Sequence, residues 1–194
     1  GQENFPVVGV SWYEAAAYCE SVGRTLPTLF HWCQAAGVQA LDYIIQLSNI
    51  GSRSPAPVGS HQGLSPYGSY DMAGNVKEWC WNSAGNQRFI LGGAWNEPGY
   101  MFGDPDARSP FDRSPANGFR CAKYDDPQSL PAPLTGAIRR EIRDYSRERP
   151  VSKEVLQIYR GLFSYDRTAL NAKVESVDES AEHWIRERIT FDAA

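Results

Sequence analysis

The sequence predicts an α+β fold with little regular secondary structure, followed by a mainly helical C-terminal extension. Three observations point there. Two short, clearly capped helices open the chain. A long stretch punctuated by Gly, Ser, Pro and Asn carries one convincing strand. After a proline-rich segment the composition turns charged and poor in glycine.

Residues 11–23 (SWYEAAAYCESVG) read as the first helix. Ser11 is the N-cap and Glu14 stands three residues on, the spacing of a capping box. Ala15, Ala16, Tyr18 and Cys19 supply the apolar side, and Gly23 supplies the stop. Thr28 caps a second helix through Ala36, closed by Gly37. From Ser48 to Trp95 only Arg88–Gly93 reads as a strand, and much of the rest is ordered loop. Coil of that length inside a domain needs a non-local tie: a metal, a disulfide or a dense polar network. Residues 97–117 continue as loop, and Gly118–Tyr124 reads as a closing strand. A boundary falls near Asp125–Thr135, giving a domain over 1–124, a proline-rich linker over 125–136 and a tail over 137–194. The tail has two helical stretches divided at Pro150, with Ser152 as a cap. Val155, Leu156, Tyr159, Leu162 and Phe163 recur on one face that must bury against something, and the closing HWIRERITFDAA reads as a strand.

Forty-two per cent hydrophobic residues, with six Trp, ten Tyr and eight Phe, exclude a disordered chain. A net charge of −4 provides no cationic surface for nucleic acid. No apolar run is long enough to span a membrane, and the N-terminus has no signal-peptide pattern. Cys19, Cys33, Cys80 and Cys121 form no C-x-x-C pair, which argues against zinc; disulfides and quiet buried thiols both stay open. His31, His61 and His183 show no converging spacing, and there is no G-x-S-x-G nucleophile elbow.

The densest chemistry lies in YDMAGNVKEWCWN (residues 70–82), with acids at Asp71 and Glu78 around a Gly74-Asn75 turn. Mixed carboxylate and carbonyl ligation in a tight loop suits a hard cation such as calcium; the alternative is a turn whose acids are merely solvated.

Together PVVGVSWYEAAAYC, RTLPT followed by Trp32, SPYGSYDMAGNVKEW, LGGAW and NGFRCA resemble, in that order, the formylglycine-generating enzyme family, or sulfatase-modifying factors. The resemblance runs from about Pro6 to Lys123 and implies a C-type-lectin-like fold. The strands with which the family opens, ahead of PVV, are expected to be missing. It implies a calcium site built from the side chains of Asp71 and Glu78 and the carbonyls of Gly74 and Val76. Asn49 and Ile50 stand where a second site begins; with no acid between Asn49 and Asp71, one calcium site is expected.

Family enzymes oxidise a substrate cysteine with copper held by two cysteines, a soft pair that selects Cu(I). Here those positions hold Glu97 and Phe102, so neither copper nor thiol-oxidase activity is expected. Glu97, Asp104, Asp106 and Asp112 are candidates for a carboxylate-lined pocket, with Arg108 and Arg120 as partners; solvated loop acids are the plainer reading. The iron-binding relatives that make ergothioneine sulfoxides use histidines mostly outside this domain. The resemblance also implies a Cys19–Cys121 disulfide, and with it an extracytoplasmic location.

The expectation is therefore a non-catalytic, calcium-stabilised binding or scaffold module. Its ligand would be a small molecule, peptide or glycan, met by the loops from Trp95 to Asn117, with Trp95, Glu97, Tyr100, Phe102, Arg108 and Phe111 as candidate contacts. An oxidoreductase with altered chemistry at Glu97 is the alternative. The tail resembles the lead-in to an α/β-hydrolase domain of bacterial multidomain proteins that also carry a serine/threonine kinase. Flanking domains of the same polypeptide are thus expected partners, the hydrolase beginning after residue 194.

Overall fold

Ser11 and Glu14 start helix α1 (Trp12–Ser21) with a reciprocal capping box: the Ser11 hydroxyl accepts from the Glu14 amide, and the Glu14 carboxylate accepts from the Ser11 amide at 2.8 Å. The Arg113 guanidinium, with Ser11, holds the Glu14 carboxyl at about 2. Thr28 caps α2 (Leu29–Ala36), and Gly37 ends it in the left-handed conformation. Trp12, Ala15 and Cys19 are the buried residues of α1, whereas Tyr18, expected on the apolar side, is exposed. The computed structural model describes residues 3–140, 143–164, 169–180 and 184–192, with the backbone alone at 40–42. Contacts divide the chain into two units, residues 1–141 and 142–194.

In the first unit a short α3 (Leu41–Gln46) precedes the loop that leads to a four-stranded sheet. Its strands are β1 (Lys77–Ala84), β2 (Gln87–Leu91), β3 (Asp106–Arg108) and β4 (Asn117–Gly118), in the order β3-β2-β1-β4. β1–β2 and β2–β3 are antiparallel, and β4 joins β1 in parallel. The central strand β1 falls within the segment read as loop from sequence. Its first four residues are buried, so the polar-apolar alternation that betrays a half-exposed strand is missing.

Core lies on both faces of the sheet. Trp79 and its partner Ile90 pack with Trp12, Ala15, Cys19 and Leu26 under α1. Cys80, Phe89 and Leu91 pack with Trp32, Ile44, Met72 and Phe102 on the other side. Each fully buried Leu, Ile or Phe side chain contributes about 2 kcal/mol. The indole N–H groups of Trp12 and Trp79 are satisfied by the carbonyls of Cys80 and Val10 at 2.8 and 2.9 Å.

The expected closing strand is much shorter than Gly118–Tyr124. After β4, Ala122 makes an isolated bridge with Thr25, because Arg120 and Cys121 between them turn to ties with Glu78 and Cys19. The proline-rich segment is also more than a linker. It contains α4 (Ala132–Thr135), and the buried Asn82 amide donates to the carbonyls of Leu134 and Gly136 at 2.9 and 2.8 Å. The first unit accordingly continues past it to residue 141.

In the second unit Ser152 caps α5 (Lys153–Gly161), and β5 (Lys173–Asp178) pairs antiparallel with β6 (Arg186–Thr190). The helix expected before Pro150 is reduced to a 3-10 turn over Tyr145–Arg147. Proline disfavours helix at the residue before it, and the charged run there has no apolar face to bury. Val155, Leu156, Tyr159, Leu162 and Phe163 are exposed.

Candidate functional site

The loop from Tyr70 to Glu78 is organised around Asn75, which is buried and adopts a left-handed backbone at φ 61°. Its amide donates to the Asn49 carbonyl at 2.8 Å, and its side chain pairs with both backbone groups of Ala56. Its carbonyl accepts from the Trp95 amide. Gly74 has φ 73°, and a Cβ there would lie 2.4 Å from the Asn49 carbonyl oxygen. A polar network therefore supplies the tie that so long a loop requires.

Glu78, buried on β1, has both carboxylate oxygens engaged. Arg120 donates from Nε to Oε2 at 2.5 Å and from Nη2 to Oε1 at 2.6 Å, and the Trp32 indole donates to Oε2 at 2.7 Å. Nη2 also reaches the carbonyls of Tyr70 and Asp71 at 3.1 and 3.3 Å. Burial disfavours the charged guanidinium, but the Glu78 carboxylate outweighs it and raises the Arg120 pKa.

This arrangement does not fit a calcium cage. Of the expected ligands, Glu78 has both oxygens engaged by Arg120 and Trp32, and one Asp71 oxygen accepts from the Gly59 amide at 2.7 Å. A divalent ion at Gly74 and Val76 would share the loop with a permanent guanidinium charge. The Asn49 amide nitrogen is turned to the Ser54 carbonyl and to Asn75, and Ile50 packs against the core. Among the described residues no group of three or more His, Cys, Asp or Glu side chains is placed to hold a metal.

A second polar cluster surrounds Lys77, whose side chain is only 2% exposed. Its ammonium meets Glu97 at 2.8 Å and Asp106 at 2.7 Å, and Arg108 reaches the same Asp106 oxygen at 2.8 Å. Burial pushes Asp106 up, but hydrogen bonds from Lys77 and Arg108 prevail and hold it below its ordinary value. Glu97 Oε2, Trp95 Nε1 and Asn117 Nδ2 are buried without a hydrogen-bond partner among the described residues. Of the other acids proposed for this pocket, Asp104 is exposed and Asp112 caps the Ser114 amide. Arg108 pairs with Asp106, while Arg120 pairs with Glu78.

Cys19 and Cys121 form a disulfide, with Cα atoms 5.5 Å apart. Cys33 on α2 and Cys80 on β1 are free thiols packed into the same core, and burial pushes both pKa values up, which keeps them protonated. His31 faces the Thr28 hydroxyl at 2.6 Å, and His183 lies outside the described residues.

The aromatic candidates separate. Phe102, read as a ligand contact, is instead core, packed edge-on to Trp32 and 2% exposed. A large ring flanked by glycines and Pro98 gives no local sign of which side it faces. Trp95 is half-buried. Tyr100 and Phe111 are open to solvent at 72% and 69%. Phe111 packs on Tyr13 at 5.1 Å, and beside them lies a groove of about 450 Å³ that Asn86, Gln87 and Arg88 also line. Sequence reasoning missed Lys77, Trp32, Tyr13 and Arg88. For Lys77 a signal existed: a lone cation between Val76 and the apolar run after Glu78.

The profile of the Sulfatase-modifying factor enzyme 1-like domain matches residues 1–124. The serine/threonine-protein kinase pkn1 of Chlamydia caviae is 43% identical over 88 residues, 41% of this chain and 14% of that protein. Inactive C-alpha-formylglycine-generating enzyme 2 of Bos taurus is 30% identical over 150 residues, 61% of this chain and 50% of that protein. The chain thus spans half or less of the length of these relatives. Among solved structures, Treponema denticola variable protein 1 superposes with a TM-score of 0.54 at 21% identity, over 62% of this chain and 72% of that one, a likeness of fold. The chain belongs to the family of Sulfatase-modifying factor enzyme 1-like domains.

Proposed function

We propose that the chain is a non-catalytic recognition module of a larger bacterial signalling protein. The carrying observation is the state of Glu97. It stands where the resemblance puts the first copper thiolate, and its carboxylate is held by the buried Lys77 ammonium at 2.8 Å. Phe102, at the second thiolate position, is a core ring. The remaining thiols, Cys33 on α2 and Cys80 on β1, are protonated and packed into the core, so no soft ligand pair faces this pocket. The inactive relative in cattle and the kinase from Chlamydia support the same reading.

Ligand contact falls to the exposed part of the Trp95–Asn117 loops and the groove beside Phe111, where aromatic rings stand next to amides and one guanidinium. That chemistry suits a peptide or a glycan better than a small apolar molecule. Flanking domains of the same polypeptide are the partners such a module would orient. An oxidoreductase working through Glu97 is disfavoured by the ion pair that occupies it.

The test is oxidation of a cysteine-containing peptide in the presence of copper and oxygen, read by mass spectrometry. No turnover above the copper blank is expected. Formylglycine production would overturn the non-catalytic reading.

A further inference from the structure

We infer that Arg120 is the resident cation of the 70–78 loop, and that the loop keeps its shape without a divalent ion. In the ion's place a side chain supplies positive charge to the same kinds of oxygen a cation would take. The guanidinium meets both oxygens of Glu78 at 2.5 and 2.6 Å and the carbonyls of Tyr70 and Asp71 at 3.1 and 3.3 Å. Its planar fork matches the carboxylate through two parallel bonds, a geometry that a lysine ammonium cannot reproduce.

Three features hold the guanidinium there. The next residue, Cys121, is bonded to Cys19 of α1, so the segment carrying Arg120 is anchored beside the loop. The Trp32 indole donates to Glu78 Oε2, which orients the carboxylate toward its partner. The buried amide of Asn75 fixes the loop backbone from the opposite side through Asn49 and Ala56. Bringing a divalent ion to Glu78 would set it against the Arg120 guanidinium, so that two positive charges compete for one carboxylate that is only 6% exposed.

The decisive experiment titrates the intact chain with calcium and with terbium. Trp32 touches Glu78 directly, so a terbium ion bound at that carboxylate would show tryptophan-sensitised luminescence. We expect no saturable luminescence, and a melting temperature that is the same in chelator, calcium and magnesium. A saturable terbium signal displaced by calcium, or a calcium-selective rise in melting temperature lost in Asp71→Ala, would overturn the inference. Arg120→Gln supplies the second arm. Its melting temperature falls in chelator, and recovery by calcium in this variant alone would show that the guanidinium had been doing the ion's work. If Arg120→Gln does not fold, the terbium titration of the unaltered chain still decides.

Discussion

Arg120 and Glu78 meet edge to edge across 42 residues of sequence, with Nε 2.5 Å from Oε2 and Nη2 2.6 Å from Oε1. Through this pair the segment that follows β4 is joined to β1, and through Trp32 the same carboxylate reaches α2. The disulfide at Cys121 extends the chain of ties to α1. A domain with little regular structure is thus braced at one point by an ion pair, an indole and a covalent bond.

Removing Arg120 leaves the buried Glu78 carboxylate uncompensated, which costs about 3 kcal/mol, whereas removing Glu78 leaves a guanidinium that is 32% exposed and can turn to water. In urea titrations Arg120→Gln should lower unfolding free energy by an amount of that order, and Glu78→Gln by less. The double variant should be less destabilised than the sum of the two. Strict additivity would show that the residues do not act on each other.

Lys77 makes a different claim, about pH. Asp106 is held below its ordinary pKa by Lys77 and Arg108, so it binds protons more weakly when folded. Its contribution to stability is therefore present above the unfolded carboxylate value of about 3.9 and is lost as pH falls through the lower folded value. Lys77→Met removes one of the two cations, so the folded pKa of Asp106 rises toward its unfolded value and the variant should lose less stability on acidification than the unaltered chain. At neutral pH the variant should also be less stable by about 3 kcal/mol, because Glu97 loses its cation and Asp106 keeps only Arg108. Denaturant midpoints measured from pH 3 to 7 test both statements.

The Cys19–Cys121 bridge closes a loop of 102 residues. On the chain-entropy account this is worth about 4.7 kcal/mol, chiefly through restriction of the unfolded chain. Reductant should lower the melting temperature of the unaltered chain and leave the Cys19→Ser/Cys121→Ser variant unmoved. Equal melts with and without reductant would mean the bridge carries no stability.

Gly74 and Gly68 offer a matched comparison. Both have positive φ, at 73° and 80°, but a Cβ on Gly74 would meet the Asn49 carbonyl oxygen at 2.4 Å while one on Gly68 meets nothing within 4 Å. Gly68→Ala should cost about 1 kcal/mol, the ordinary left-handed penalty. Gly74→Ala should cost distinctly more, since the backbone of Asn49 has to move. Similar losses in chemical denaturation would remove the close-approach argument.

Much of the outline was legible from local chemistry. The caps of α1 and α2 follow from Ser11, Glu14, Thr28 and Gly37, because a capping hydrogen bond spans only three residues. The unusual Asp71-to-Glu78 loop stood out for the same reason: its glycine, asparagine and acids sit within a few positions of one another. β1 did not stand out. It is buried on both faces, and that burial is created by helices and loops far away in sequence.

The pairing of charges lay further still from what spacing can reveal. Lys77 finds Asp106 at 29 residues and Glu78 finds Arg120 at 42, distances at which sequence order carries no information about proximity. Sheet register and the Cys19–Cys121 tie bring those groups together, and desolvation then requires each buried charge to take the partner beside it. Motif order thus sufficed for the family. Which cation Glu78 would face was settled by long-range packing.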